Sequence, residues 1–453
     1  MKEIGYMSAE EAAEALGIRP ETLYSYVSRG LLRSEFADAG KRTRRYPAED
    51  VLRLKERQEM RRDPQKVVDT ALHWGAPLLA SALTLIDGGR FYYRGKDALD
   101  LAMVSSVEQV AALLWLGDMG QSSFLFPTET SPLPPSVEAI LPFLPDSSTP
   151  MERFQALLPV AAMTDLAAYD FRPEPVARSG ARLLRLMASL AIYPQTVLRA
   201  VDMASLLQQG WASDRPQAAA LFRTALILCA DHELNVSSFT ARCVASAGSP
   251  PHAVVSGGLA ALQGFKHGGA GEQVEALFRE VGRPEQAKAA LARRIRRGEN
   301  VPGFGHRLYP EGDPRGKMLM EQVAAAFPNA PEIALARAIA AAIAEIRNER
   351  PNVDFGLATL SAALDLPAGA ALALFAMGRT LGWIGHAIEA YQTDQLIRPR
   401  AHYIGLMPGK QEQPTHPDSG KSHPFSIEKH SLRSGNVSDS GYDPVFLGEP
   451  PAL

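Results

Sequence analysis

The sequence predicts a mainly α-helical protein, and three observations support this fold class. Alanine and leucine are abundant in the central part of the chain, where apolar residues recur at helical spacing, as in 107–119 and 331–349. Strand-like alternation is scarce, and the segment 86–95, IDGGRFYYRG, is the best candidate for a short hairpin. With 453 residues, 46% of them hydrophobic and 21% charged, the chain is long enough for two or three domains around a large core.

Charge and cysteine content narrow the class of protein further. The net charge of −3 gives no overall bias toward a polyanion or a membrane surface. No apolar run is long enough to span a bilayer, and the N-terminus lacks the apolar segment of a signal peptide. The two cysteines, Cys229 and Cys243, lie in apolar helical surroundings and are interpreted as reduced buried thiols. We therefore expect a cytoplasmic protein that does not contact a membrane.

The chain divides by composition into three regions. Residues 1–63 are rich in charge, and residues 64–408 form the body rich in alanine and leucine. Residues 409–453 are polar and rich in serine, proline and glycine, so we expect a disordered tail. Its histidines are irregularly spaced and predict no metal site.

The first region has the local signals of two short helices joined by a tight turn. Ser8 and Glu11 form a capping-box pattern at the start of the first helix, which is expected to end at Leu16-Gly17. Pro20 stands where the second helix would begin. Helix, glycine turn and helix together make a helix-turn-helix.

A basic cluster follows these helices and resembles a wing. With it, residues 5–62 resemble the winged-helix DNA-binding domain of the MerR superfamily. The resemblance implies double-stranded DNA as a partner, with phosphates bound by the wing and base edges read by the second helix. An alternative is a module kept for oligomerisation or docking. The residues assigned to DNA are Lys41, Arg42, Arg44 and Arg45 in the wing, and Thr22, Tyr24, Ser25 and Arg29 in the second helix.

Two histidines in the body are candidates for functional roles. His232 lies in an Asp-His-Glu triplet that is either a metal site or a buried polar cluster; no second pair of ligands follows at metal spacing, so no metal is predicted. His267 precedes two glycines and a helix start. The dipole of that helix disfavours imidazolium, and a neutral imidazole can donate a hydrogen bond to a developing oxyanion. A structural role is the alternative.

A loop at 301–315, VPGFGHRLYPEGDPR, holds His306, Arg307 and Arg315 in a frame of glycine and proline. Further along, Asp354 precedes an apolar helical segment and is either a helix N-cap or a general base. Arg379 and Arg398 stand among apolar residues. Because arginine binds carboxylates through paired hydrogen bonds, this set predicts a small ligand with several carboxylates.

Together these stretches resemble the citrate synthase family. GFKHGGAGE, PGFGHRLYPEGDPR, PNVDF and GRTLGW…IRPRAHYIG occur in the family's order, and the resemblance covers about 78–405. It implies a homodimer of large and small helical domains, with the small domain at about 269–365. The sequence departs from the family pattern at Phe265-Lys266, after Asp170 and at 355–359. Substrate selection is expected at 170–180 and 355–359.

The resemblance also implies a role for each site residue. Asp354 would remove a methyl proton from an acyl-CoA thioester, His267 would stabilise the enolate oxygen, and His306 would polarise and then protonate a ketone. Oxaloacetate would be held by His232, Arg315 and Arg379, and by Arg398 of the partner subunit, while Arg307 would contact CoA.

The implied reaction makes citrate from oxaloacetate and acetyl-CoA, or 2-methylcitrate from propionyl-CoA, as cosubstrate, with no permanently bound cofactor. The alternative is a DNA-binding regulator whose body senses a metabolite.

Overall fold

The computed structural model describes residues 6–29, 31–36, 44–48, 50–51, 54, 79–127, 133–195, 202–401 and 403–405. The tail predicted at 409–453, and Lys41 and Arg42 of the expected wing, lie outside the described residues. The chain forms two compact units, 1–397 and 398–453. In the second unit the described residues are exposed and contain no helix or strand.

The N-terminal module follows its local sequence signals closely. It contains β1 (Tyr6–Met7), α1 (Ala9–Leu16), α2 (Pro20–Ser28), β2 (Glu35–Phe36) and β3 (Arg44–Pro47). The Ser8–Glu11 capping box is present, Gly17 ends α1 with a φ of 62°, and Pro20 opens α2. Both β1 and β2 pair antiparallel with β3. The helix-turn-helix prediction is confirmed.

A small core of its own stabilises this module. Apolar side chains from both helices, the wing strand and the residues after it are buried together. They are Ala12, Leu16, Leu23, Leu32, Tyr46, Val51 and Leu54.

The predicted hairpin is formed by β4 (Thr84–Asp87) and β5 (Arg90–Tyr93), and β6 (Lys96–Asp97) extends its sheet. Gly88 and Gly89 make the two-residue turn with φ values of 57° and 78°. A turn with positive φ at both positions matches the twist of a hairpin, and glycine adopts it without steric cost. The hairpin places Tyr93 in the main core.

The main core is a layer of helices around one long central helix. The helices before the centre are α3 (Ala98–Val104), α4 (Val107–Leu116), α5 (Ser122–Leu125), α6 (Pro135–Ile140), α7 (Pro150–Ala162), α8 (Pro173–Ile192), α9 (Met203–Trp211), α10 (Ala218–Leu228), α11 (Val236–Ser246) and α12 (Pro251–Leu262). Helices α13 (Ala270–Val281), α14 (Ala287–Arg296), α15 (Pro314–Ala326), α16 (Pro331–Arg347), α17 (Val353–Leu364) and α18 (Ala370–Thr393) follow.

Helix α18 is the centre of this layer. It has the length and mean hydropathy of a membrane span, but its apolar window is entirely buried inside the protein. Helices α4, α8, α10, α11 and α12 pack around it. Because α18 is surrounded by other helices, it can be apolar on all sides.

A second core lies apart from the first. It is built by apolar side chains of α13, α14, α16 and α17, among them Val274, Leu291, Ile339 and Phe355. The bounds predicted for a small domain, about 269–365, stay a prediction, as do the other domain bounds.

Candidate active site

Six of the predicted site residues come from six different parts of the body. His232 follows α10, His267 lies in the turn before α13, and His306 lies in the loop before α15. Arg315 and Asp354 stand in the first turns of α15 and α17, and Arg379 is on α18; these segments belong to one compact unit.

The charge of Arg379 reaches three of the other residues. Its guanidinium lowers the pKa values of His232 and His267 and opposes the rise in the pKa of Asp354. The His267 ring lies 6.1 Å from the ring of Phe375, and the Arg379 guanidinium lies 4.9 Å from the same ring. Because the interaction between charges weakens with distance, these effects indicate that the three groups lie near Arg379. The structure therefore brings the two histidines and the aspartate around Arg379.

Three rings form one wall of the site. The ring centroids of His232 and His306 are 5.1 Å apart, and Tyr309 lies 5.5 Å from the first and 5.0 Å from the second. The Tyr309 hydroxyl is 2.9 Å from His232 Nε2. Because a neutral imidazole has one donor and one acceptor nitrogen, a hydroxyl that donates to Nε2 leaves Nδ1–H as the donor.

The other two histidines are engaged in the same way. The backbone N–H of Leu308 donates to His306 Nδ1 at 3.2 Å, so the Nε2 of this neutral ring carries the proton. The Ser237 hydroxyl is 2.9 Å from His267 Nε2. If the serine donates there, His267 presents Nδ1–H. Each histidine can then be a hydrogen-bond donor without being charged.

Burial and nearby guanidiniums keep these imidazoles neutral. Burial lowers the pKa of His267 to about 4, with Arg379 adding to the effect. Burial, followed by the charge of Arg315, lowers the pKa of His306 to about 4. The pKa of His232 also falls well below its ordinary value, mainly through burial. Desolvation is thus the largest cause of the neutrality that the sequence predicted for His267.

Asp354 has the opposite shift. Loss of solvation raises the pKa of this half-buried carboxyl to about 7, against the pull of Arg315 and Arg379. It is not the N-cap of α17, because Asn352 occupies that position and accepts the N–H groups of Asp354 and Phe355. The Asp354 side chain is therefore not committed to the helix end.

The backbone ties Asp354 to the His306 loop. Gly305 N–H donates to Arg350 O, and Asn352 N–H donates to Gly303 O, both at 2.9 Å. These two bonds make a short antiparallel pairing between the loop before His306 and the segment before Asp354. Asp354 and His306, which lie on separate elements, are thereby held in register.

The two buried arginines have different partners. Arg315 forms a bidentate pair with Asp313, at 2.9 and 2.8 Å, and Asp313 also accepts Val353 N–H at 3.1 Å. Arg379 donates its Nε to the backbone carbonyl of Cys229 at 2.8 Å. This fixes both guanidiniums in place and leaves further N–H groups of each for a carboxylate ligand.

Two further residues of the predicted substrate site are exposed. Arg307 lies on the surface of the His306 loop, and Arg398 lies in the second unit. In the N-terminal module, Thr22, Tyr24 and Arg29 are exposed on and just after α2, and Ser25 is half-buried.

The described wing arginines are engaged within the module. Arg44 donates to the Ser34 hydroxyl at 2.9 Å, and Arg45 pairs with Glu35 at 3.3 Å while stacking 4.0 Å above the Tyr6 ring.

Four further residues shape the site and were not singled out from the sequence. Tyr309 and Asp313 lie within the quoted loop at 301–315, and Ser237 lies five residues after His232, but nothing local shows that they face a histidine or an arginine. Asn352 had a signal, since asparagine directly before an apolar helical segment is a good N-cap.

The chain is similar to known proteins over most of its length. Residues 72–400 match the family profile described as citrate synthase, C-terminal domain, and residues 6–59 match the profile described as a helix-turn-helix domain. The chain is 31% identical over 337 residues to a citrate synthase of Mycolicibacterium smegmatis, covering 69% of this chain and 88% of that protein. It is 31% identical over 348 residues to a 2-methylcitrate synthase of Mycobacterium tuberculosis, covering 70% and 86%.

Solved structures are similar over the same part of the chain. Citrate synthase from Thermotoga maritima superimposes with a TM-score of 0.65 at 26% identity, over 75% of this chain and 96% of its own. A ternary complex of the Thermoplasma acidophilum citrate synthase with carboxymethyl coenzyme A and oxaloacetate has a TM-score of 0.65 at 24% identity, over 75% of this chain and 96% of its own, and supports the fold alone.

Proposed function

The chain belongs to the citrate synthase family, and on this premise we propose how its site condenses an acyl-CoA thioester with a 2-oxo acid. It is an enzyme, an acyltransferase that converts the acyl group to an alkyl group on transfer, and it needs no permanently bound cofactor. The observation that carries the proposed mechanism is a carboxyl with a pKa raised to about 7 among neutral imidazoles, each held as a potential donor.

Asp354 is the base that removes a proton from the acyl carbon next to the thioester. A carboxylate of ordinary pKa is a weak base toward carbon. Raising the pKa to about 7 brings the carboxyl close to the working pH, where general-base catalysis is most effective. The proton passes to the carboxylate, and the electron pair moves into the enolate.

His267 stabilises that enolate. Its Nδ1–H donates to the thioester oxygen as negative charge develops there, with Nε2 accepting from Ser237. A neutral imidazole suits this role because it can donate a hydrogen bond without adding a second positive charge near Arg379.

His306 acts on the other substrate. Its Nε2–H polarises the ketone, the enolate carbon attacks the ketone carbon, and the imidazole delivers its proton to the new alkoxide. Arg315 and Arg379 hold the carboxylates of the 2-oxo acid, and His232 donates through Nδ1–H. Water then hydrolyses the thioester and releases CoA and the tricarboxylic acid.

The substrates follow from family membership. Oxaloacetate is the 2-oxo acid, and the relatives named citrate synthase and 2-methylcitrate synthase support acetyl-CoA and propionyl-CoA as the acyl donors. Arg307, exposed on the His306 loop, is assigned to CoA.

One assay tests the proposal. Purified protein is mixed with oxaloacetate and either acetyl-CoA or propionyl-CoA, and free thiol is followed. We expect turnover with at least one donor and a loss of about a thousandfold or more in Asp354→Ala, because the base is removed. Glu345→Ala removes an exposed carboxylate on α16, nine residues earlier, and is the control that keeps activity. Absence of turnover with both donors overturns the proposal.

We further propose a cytoplasmic homodimer in which Arg398 of one subunit completes the site of the other. Family membership supports this arrangement. Equal amounts of Arg398→Ala and Asp354→Ala subunits, each inactive alone, should recover about a quarter of wild-type activity, because half of the dimers are mixed and each has one intact site. No recovery after demonstrated subunit exchange contradicts a shared site.

The helix-turn-helix supports DNA binding as a second function of the chain. Because Arg44 and Arg45 are engaged within the module, the exposed face of α2 is the better candidate for contact. Arg29→Ala should weaken duplex DNA binding in an anisotropy titration at low salt, and added salt should weaken it further. A regulator that only senses a metabolite is not favoured, since a sensor has no need of Asp354.

A further inference from the structure

A second group of polar residues lies directly beneath the pocket and is not used by the mechanism above. Its first member is Asp231, which is completely buried and precedes His232 in the chain. The Asp231 N–H donates to the Tyr93 hydroxyl at 3.2 Å, and the Thr84 hydroxyl donates to Asp231 Oδ2 at 2.6 Å. The β4–β5 hairpin therefore holds both the backbone and the side chain of the residue next to His232.

Helix α18 holds the same segment from the other side. Arg379 donates to Cys229 O at 2.8 Å, and Gly382 N–H donates to Ala230 O at 2.9 Å. A Cβ at position 382 would lie 2.5 Å from Ala230 O, so only glycine permits this approach. Glu233, which directly follows His232, has a φ of 54°, which is uncommon for a residue other than glycine. The turn that presents His232 thus depends on its contacts with α18.

His386 lies one helical turn after Gly382, on the same face of α18, and contacts Asp231. Its Nε2 lies 3.2 Å from Asp231 Oδ1, and its Nδ1 lies 3.7 Å from Glu389 Oε2. The ring is completely buried. Neither contact has the alignment of a hydrogen bond, so the attraction is that of ion pairs. An imidazole with a carboxylate at each nitrogen is the arrangement that suits the doubly protonated ring.

The chain of charges continues to the helix that carries Ser237. Glu389 accepts from Arg242 at 2.9 Å and from Ala82 N–H at 2.7 Å. Arg242 lies on α11, as does Ser237, the partner of His267. Two carboxylates and two cations therefore alternate from the residue beside His232 to the helix beside His267, and their charges balance.

We propose that His386 is a positioning residue for the condensation: held between Asp231 and Glu389, it fixes the 229–232 segment against α18 and so sets His232 relative to Arg379. The substrate contact that depends on this spacing is the one with the 2-oxo acid, because His232 and Arg379 both face it. His386 meets Asp231 directly but reaches α11 only through Glu389 and Arg242, so the acyl-CoA contacts should change less. The inference rests on the proposed function.

His386→Gln tests this proposal, since glutamine is of similar size but cannot carry the charge. We expect the KM for the 2-oxo acid to rise about tenfold while the KM for acyl-CoA stays within about twofold. His252→Gln is the matched control: His252 is also buried, with its Nε2 3.8 Å from Asp165, in a different part of the core. It should leave both KM values unchanged even if it lowers the melting temperature equally.

Thr84→Val provides a second, isosteric test that removes no charge. Loss of the Thr84 hydroxyl frees one Asp231 oxygen, and we expect the KM for the 2-oxo acid to rise about threefold in a normally folded enzyme. This variant decides the question if His386→Gln does not fold. Unchanged KM values in the folded variants, or an equal rise for both substrates, overturn the proposal.

The two proposals can fail separately. A wild-type protein that shows no turnover refutes the proposed function. Calorimetric binding of oxaloacetate to wild type and Thr84→Val then still tests positioning, because a weaker affinity is expected for the variant whatever reaction follows. Equal affinities for the two proteins overturn the positioning role.

Discussion

The pocket lies above a charged layer, by which we mean Asp231, His386, Glu389 and Arg242. The two regions contain the same residue types in opposite protonation states. In the pocket, burial lowers the pKa of His267 and His306 to about 4 and raises that of Asp354 to about 7. In the layer, the pKa of His386 is raised despite complete burial, because Asp231 and Glu389 attract its charge. The pKa of Glu389 falls to about 2, with its hydrogen bonds and the charge of His386 overcoming burial.

The difference shows what decides the charge of a buried group in this fold. Burial acts in the same direction in both regions, against the charged form. In the layer each charge has an opposite charge beside it. In the pocket the histidines face the guanidiniums of Arg315 and Arg379, which repel a second positive charge. The charges of the layer are therefore stabilised, whereas the pocket has neutral imidazoles and one carboxyl, Asp354, with a pKa near 7.

The largest predicted consequence is a pH profile with one ascending limb. Asp354 accepts a proton only when ionised, so kcat/KM should rise about tenfold per pH unit up to pH about 7 and then level off. The imidazoles, with pKa values of about 4, are already neutral across this range. Rates of thiol release measured from pH 5 to 8.5 test this.

Two outcomes would contradict the comparison on which this profile rests. A flat profile would mean that Asp354 is ionised throughout, and its burial would then have no effect on its charge. A falling limb between pH 5 and 7 would mean that a histidine must be protonated for activity. Oxaloacetate and acetyl-CoA should be saturating in a parallel series, so that a change in kcat is separated from a change in binding.

A smaller effect is expected from the hydroxyl that orients His267. Ser237→Ala removes the donor to Nε2, so the ring can adopt the other tautomer and lose its Nδ1–H. We expect kcat to fall about tenfold with little change in the KM for oxaloacetate. Ser238→Ala is the control, because the described contact of that hydroxyl is with the Asn235 amide.

Contacts between residues close together in the sequence were predicted, whereas contacts between distant residues were not. The N-terminal module was predicted to the residue at Ser8, Glu11 and Gly17, because a helix cap is made by neighbours three or four positions apart. The hairpin turn at 88–89 is equally local. These signals need no knowledge of the rest of the fold.

The site required the fold. Ser237 meets His267 across 30 positions, and Tyr309 meets His232 across 77. His386 lies three residues after the GRTLGW motif, and only the packing of α18 against the 229–231 segment places it beside Asp231. Asp354 was left open between a cap and a base, and the Asn352 cap decided against the first. Family motifs located the pocket, whereas the layer beneath it has no motif of its own.

The smallest predicted effect is on stability, and it should have opposite signs in the two regions. The folded-state pKa of Asp354 is above its unfolded value, so its ionisation destabilises the protein as pH rises from about 4 to 7. Asp354→Asn should therefore raise the free energy of unfolding by about 1–2 kcal/mol at pH 8, with the gain disappearing toward pH 4.

The folded-state pKa of Glu389 is below its unfolded value, so its stabilisation is complete above pH about 5 and is lost as pH falls toward 2. Glu389→Gln should lower the free energy of unfolding by about 1–2 kcal/mol at pH 8. Thermal melts of both variants at pH 8 and pH 5, at one scan rate, test the pair. If both substitutions shift the melting temperature in the same direction at pH 8, neighbouring charges do not decide which buried groups are ionised in the pocket and in the layer. Geometry alone must then explain why the two regions differ.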